Sequence, residues 1–198
     1  MRRKTFDTLL TSGGLVVVIV LAVAGSLLLW GHNFANSNVR SQLAQQQITF
    51  PAKGSQALTA SPEISRYLTQ YAGQQLLTGP QAKAYADHFI AVHLSEMPYK
   101  GVYAKVSAAA MADPNNAALK AQVQTVFQGT TLRGLLLEAY AFWQMGQIAL
   151  IGAIVSFTLA VVMLVLTGFG FWHLRRVDPA EELMPQRRSA APATPAVA

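Results

Sequence analysis

The sequence predicts an all-α membrane protein in which two transmembrane helices flank an exported helical domain. Hydrophobic residues make up 52% of the 198 positions and charged residues only 12%, whereas soluble domains carry about 25% charged residues. Two apolar runs without a formal charge, residues 9–30 and 148–172, each exceed the roughly 20 residues that a helix needs to cross a bilayer. Because lipid offers backbone groups no hydrogen-bond partner, both runs are predicted to be helices.

Basic residues at the two ends of the chain predict the orientation. Arg2, Arg3 and Lys4 precede the first run, and Arg175 and Arg176 follow the second. The positive-inside rule therefore places both termini in the cytoplasm, with the segment between the spans exported across the plasma membrane. The basic residues inside that segment do not change this prediction, since long loops translocate largely regardless of their charge.

The N-terminal part is predicted to be a cytoplasmic segment, residues 1–8, followed by transmembrane helix 1, residues 9–31. We interpret this helix as an uncleaved signal anchor, because the apolar run continues to Trp30. A cleaved signal peptide is the alternative, since the small residues Ala22 and Ala24 form a suitable cleavage pattern after a basic start.

Residues 32–129 are predicted to form the exported helical domain. Its first part reads as an irregular or partly helical stalk, with an extended piece at residues 48–50. N-cap residues and early prolines then predict helices over residues 62–72 and 80–97. An alanine-rich helix, a break at Asp113 and Pro114, and a helix ending at Gly129 follow.

The C-terminal part is predicted to begin with a membrane-proximal helix, residues 130–147, that is continuous with transmembrane helix 2, residues 148–172. No proline interrupts this stretch. The remaining residues, 173–198, are rich in proline and alanine and are predicted to be a disordered cytoplasmic tail.

Charge and cysteine content limit the possible functions. The net charge of +6 is spread over both the exported segment and the termini, and no basic and aromatic residues interleave as a nucleic-acid groove requires. The absence of cysteine excludes disulfides, thiolate metal sites, iron–sulfur clusters and covalent haem attachment. We therefore expect no nucleic acid and no cofactor.

The stretch "ADHFIAVHL", residues 86–94, contains two of the four histidines. In an uninterrupted α-helix, positions five apart differ by about 140° around the axis, so His88 and His93 are expected to point to different faces. A helical zinc pair needs a spacing of four. The same periodicity places His93 in the apolar stripe and puts Asp87 and His88 on a solvated face, where Lys83 pairs with Asp87 at i, i+4.

From these considerations we expect this stretch to contain neither a catalytic residue nor a metal site. His93 is expected to be a hydrogen-bonded core histidine. Two alternatives remain open. One is a metal or ligand site built on His93 with Glu96 and a partner from elsewhere, with His88 as a further candidate ligand, and the other is a histidine whose ionisation senses pH.

Small residues in the second span predict a helix-packing interface. Gly152, Ser156 and Ala160 recur every four residues, which lets another helix approach closely. The expected partner is the first span, through Ala22 and Ser26, or the same span of a second copy. Ordinary tolerance of small residues in membrane helices is the other interpretation.

Three stretches, "YAGQQLLTGPQAKAYADHFIAVHL", "VYAKVSAAA" and "FQGTTLRGLLLEAYAFW", resemble a group of small actinobacterial two-span membrane proteins. The resemblance covers about residues 48–174. Some members carry the label aromatic ring-opening dioxygenase by automatic transfer, which would imply two histidines and a carboxylate on one iron. Relatives often have a Gly-Gly-Lys-Thr-Tyr run after the second histidine, where this chain has "MPYKGVY".

The sequence therefore favours a non-enzymatic role as an accessory, scaffolding or stabilising subunit of a larger membrane assembly. Its partners would be other membrane subunits or further copies of itself, together with the lipid bilayer. The alternative is an exported ligand or metal sensor centred on His93.

Overall fold

The computed structural model describes residues 3–176, and within them helices form every named element. The part of the predicted tail that covers residues 177–198 lies outside the described residues. The seven α-helices are α1 (Arg3–Gln46), α2 (Gln56–Thr59), α3 (Pro62–Leu68), α4 (Gly79–Tyr85), α5 (Ala91–Glu96), α6 (Tyr103–Ala112) and α7 (Ala117–Leu174). The described chain divides into two compact units, one of residues 3–26 with 153–176 and one of residues 27–152.

Helices α1 and α7 contain the two apolar runs. Each includes an 18-residue window apolar enough to cross a membrane, with mean hydropathy of 2.5 in α1 and 2.8 in α7. The prediction of two long apolar helices is therefore confirmed. The stretch after residue 32, predicted to be an irregular or partly helical stalk, is instead a regular continuation of α1 as far as Gln46. The helix ends where Gln47 adopts a positive φ of 52°.

Two short helices begin as their sequences predict. The Ser61 hydroxyl accepts a hydrogen bond from the Ile64 N–H, with Pro62 in the first helical position. At α4, Thr78 and Gln81 cap each other's backbone in a reciprocal capping box. Such caps satisfy N–H groups that the first turn of a helix leaves free.

The helix predicted over residues 80–97, which we call the rod, contains a wider turn. Between α4 and α5, residues Ala86–Ile90 form a π-helical segment, closed by a hydrogen bond from the Ala91 N–H to the Ala86 carbonyl. A π turn holds one residue more than an α turn and is rare outside such single insertions. Residues after the segment are therefore rotated by about one position relative to an uninterrupted α-helix.

The core of the 27–152 unit lies between this rod, α3 and the two long helices. Ala82, Ala86 and Ile90 form one buried line along the rod. Against it pack Phe50, which is 2% exposed, Leu76 from the segment before α4, and residues of α1, α2, α3 and α7, namely Val39, Leu43, Leu58, Ile64, Leu68 and Leu136. Burying a side chain such as Phe50 contributes about 2–3 kcal/mol, so these contacts hold the unit together without disulfides.

Trp143 belongs to this packing. It is partly buried against the core, and Gly79 at the start of α4 lies directly against its side chain. The rod can approach α7 this closely because Gly79 has no Cβ.

Asn116 caps the start of α7, since its side-chain oxygen accepts a hydrogen bond from the Leu119 N–H at 3.1 Å. The predicted end of this helix at Gly129 is wrong. The helix passes through Gly129 without a break. A Cβ at Gly129 would lie 2.9 Å from the Leu94 side chain, so this glycine permits a close contact and does not end the helix.

Substituting Gly79 with alanine should destabilise the protein, because the new methyl group would overlap Trp143 Cβ and Cγ, which are near the backbone and cannot move away easily. We expect a loss of about 1–3 kcal/mol, typical of overpacking. Gly134→Ala is the matched control: it lies in α7 with no atom within 4 Å of the new Cβ, and alanine should stabilise the helix by up to about 1 kcal/mol. Thermal unfolding of the purified full chain in mild detergent measures both, and equal shifts would contradict the packing role of Gly79.

Candidate functional site

Charged side chains on the rod link it to α7. The Asp87 carboxylate accepts hydrogen bonds from Lys83 Nζ at 2.6 Å and from Arg133 Nη2 at 3.0 Å. The predicted Lys83–Asp87 pair is confirmed. Asp87 itself does not face outward as expected, because Arg133 of α7 covers it and leaves only 21% of its side chain exposed.

The two cations determine the ionisation of this carboxylate. Burial alone would raise the pKa of Asp87, but the hydrogen bonds from Lys83 and Arg133 outweigh it and hold the pKa below the ordinary value. The bond to Asp87 in turn raises the pKa of Lys83. A carboxylate kept ionised between two cations is a poor proton acceptor near neutral pH, so this cluster acts as a clamp between the rod and α7.

His88 is held against α3. Its ring lies flat on the Tyr67 ring, with centroids 3.6 Å apart and an interplanar angle of 8°. Its Nδ1–H donates to Glu63 Oε1 at 3.0 Å. His88 was expected on a solvated face, and the structure corrects this: 24% of its side chain is exposed because α3 covers the ring.

His93 is exposed, so its predicted place in the core is wrong. The π-helical segment rotates the residues that follow it, and Leu94 packs against the core where an uninterrupted helix would place His93. The His93 Nδ1–H donates to the Phe89 carbonyl at 2.7 Å, and the ring contacts Phe89 with centroids 4.5 Å apart.

Glu96, the proposed partner of His93, is also exposed. Over residues 3–176 the structure contains no group of three or more His, Asp or Glu side chains arranged to hold a metal ion. His88 and His93 have separate partners, Glu63 and the Phe89 carbonyl. The structure thus gives neither histidine a shared ligand set among the described residues.

Sequence reasoning missed a surface on the hairpin of α6 and α7. Val106 of α6 and Val126 of α7 are both buried. The common outer face of the two helices, which we call the hairpin face, consists of Tyr103, Ser107, Ala110 and Met111 of α6 with Lys120, Val123 and Phe127 of α7. Met111 is 71% exposed and Phe127 51%. The helical spacing of these residues could have indicated the face, but only the folded hairpin shows that the two stripes adjoin.

In the unit of residues 3–26 and 153–176, the small-residue ridge packs on the first apolar helix. Ser156 Oγ donates to the Leu21 carbonyl at 2.8 Å, and Ala160 is buried. Ala22 is half-buried, whereas Ser26 is exposed and hydrogen-bonds within its own helix to the Ala22 carbonyl.

Other residues of the same unit contact across this helix pair. Gly25 lies against the Phe157 ring, Gly14 against Thr167, and Gly170 against Thr11. Both threonines are buried. Gly152, the third ridge residue, belongs to the unit of residues 27–152. A Cβ atom added to it would lie 3.2 Å from the Leu28 side chain.

Searches against protein-family models, curated proteins and solved structures return no match for this chain.

Replacing Asp87 with asparagine should destabilise the protein at neutral pH by about 1 kcal/mol, since both cationic partners are partly exposed. Because folding lowers the pKa of Asp87, its contribution is complete above the ordinary pKa of about 3.9 and is lost as pH falls through the folded value. Wild type should therefore lose more stability than Asp87→Asn below about pH 4. Thermal unfolding from pH 7 to pH 3 tests this, with exposed Glu96→Gln as the control, and parallel curves for wild type and Asp87→Asn would count against the clamp.

Proposed function

We propose that this protein is a non-enzymatic accessory or scaffolding subunit of a membrane assembly, anchored by two spans and docking a partner through its exported helical domain. The observation that carries the proposal is the hairpin face. Exposed apolar patches rimmed by polar residues often mark protein–protein interaction sites.

The geometry of the hairpin face suits a helical partner. Tyr103 and Phe127 contact each other with ring centroids 5.9 Å apart, and a shallow groove of about 270 Å³ lies beside them, lined by Met111 and Val123. A partner helix with an apolar stripe would fill such a groove with side chains at i, i+3 and i+4. Aromatic residues and methionine are also the types enriched in interface cores.

The charge around the hairpin face indicates which charged residues the edge of the partner's surface should carry. Residues 99–128 contain three basic residues, Lys100, Lys105 and Lys120, and one acidic residue, Asp113. Lys120 lines the groove itself. An exported helical segment with acidic residues at the edge of its apolar stripe would therefore be both steered to this face and matched by it.

Purification of the full chain from its native membrane in mild detergent tests the docking role. We expect a stoichiometric membrane protein to co-purify with wild type and to be lost, by at least about tenfold, from Phe127→Asp. Thr125→Asp is the matched control, because Thr125 is exposed and lies about 160° away around α7. A partner retained equally by both variants, or a wild-type chain that purifies without any partner, would contradict the proposal.

Metal content separates this role from the sensor centred on His93. We expect the full chain, incubated with Zn²⁺ and dialysed, to retain less than one equivalent, with no difference between wild type and His93→Ala. Stoichiometric metal that His93→Ala loses would favour the sensor instead.

A further inference from the structure

A second surface of the 27–152 unit is a groove between α7 and the C-terminal part of α1, residues 38–46, with a volume of about 330 Å³. One wall carries the amides Asn38, Gln42 and Gln46 of α1, and the other carries apolar residues of α7, chiefly Leu135, Ala139 and Phe142. Each set recurs at helical spacing, so the two walls run along the helices as an amide wall and an apolar wall.

The groove is open in the single chain. Leu135 is 57% exposed and Phe142 38% exposed, although both flank the buried core residues Val39 and Leu43. Its only charged lining residue is Glu138, which is exposed. The rest of the groove can therefore be covered without burying a charge.

We propose that a second copy of this chain covers the groove, so that α1 and α7 of two copies form a four-helix bundle outside the membrane. Two copies inserted in one membrane have the same orientation and present the same residues at the same height. A two-fold axis along the membrane normal then brings identical grooves together, which is the usual geometry of a homodimer.

The amide wall is self-complementary. Gln42 Nε2 donates to Asn38 Oδ1 at 2.5 Å, and in residues 3–176 the other amide atoms of this pair, Gln42 Oε1 and Asn38 Nδ2, make no hydrogen bond. Across a two-fold axis, the donor of each copy meets the acceptor of the other. Buried amides in helix bundles set register and partner number in this way.

Other occupants fit less well. A lipid acyl chain would cover the apolar wall but leave the amide wall buried without partners, at a cost for each group. The hairpin face of a neighbouring copy cannot reach the groove, because Lys120 and Glu138 lie about 27 Å apart along α7 at 1.5 Å per residue. The groove of a second copy offers hydrogen-bond partners to the amide wall and apolar contacts to the apolar wall, and it lies at the same distance from the membrane.

Single cysteines test the dimer directly, because the chain contains none. In membranes treated with a mild oxidant, we expect more than about half of Gln42→Cys to run as a disulfide-linked dimer. Arg40→Cys is the matched control: Arg40 is exposed and lies about 160° away around α1, and it should cross-link at least about fivefold less. Equal cross-linking of the two variants, or a Gln42→Cys chain that stays monomeric, would overturn the proposal.

The mass of the purified chain in mild detergent, measured by light scattering, is the second test. We expect wild type and Ala141→Glu, which alters an exposed residue outside the groove, to be dimers and Leu135→Glu to be a monomer. A dimer that persists in Leu135→Glu would overturn the proposal. Phe127→Asp should leave the dimer intact, so loss of a docked partner and loss of the dimer are separate outcomes.

Discussion

The arrangement of the 27–152 unit depends on the close packing of the α4–α5 rod against α7. Gly79 meets Trp143 at one end of the contact, and Gly129 meets Leu94 at the other. Between them, the ion pair of Asp87 and Arg133 fixes the rod's rotation relative to α7. Side chains at the glycine positions would push the rod away from α7 and expose the buried line of Ala82, Ala86 and Ile90.

The π-helical segment determines which residues of the rod take part in that packing. A spacing of four residues drifts by about 40° per step in an α-helix. The wider turn between Ala86 and Ile90 offsets the drift accumulated from Ala82, so the three residues stay on one buried face. It also turns Leu94 inward and His93 outward. Of the two histidines of the rod, His93 is therefore exposed and His88 packs against α3.

Two surfaces remain open once this unit is assembled, and they differ in chemistry. The hairpin face is apolar with a basic edge, which suits a different protein with an acidic edge. The groove between α1 and α7 has an amide wall and an apolar wall, which suits an identical groove. A chain that forms a dimer through one surface and docks a partner through the other would have the properties of a scaffold.

The sequence by itself determined the helical class, the two apolar helices and the helix starts at Ser61 and Thr78, because these depend on local composition, caps and prolines. The Lys83–Asp87 pair was equally predictable, since i, i+4 spacing within one helix fixes the distance. Only the tertiary structure decided the surroundings of His88 and His93, the packing of Trp143 against the core and the role of Gly129. Each of these depends on a contact between segments distant in the chain, or on one extra residue in a turn, and the periodicity of a single helix contains neither.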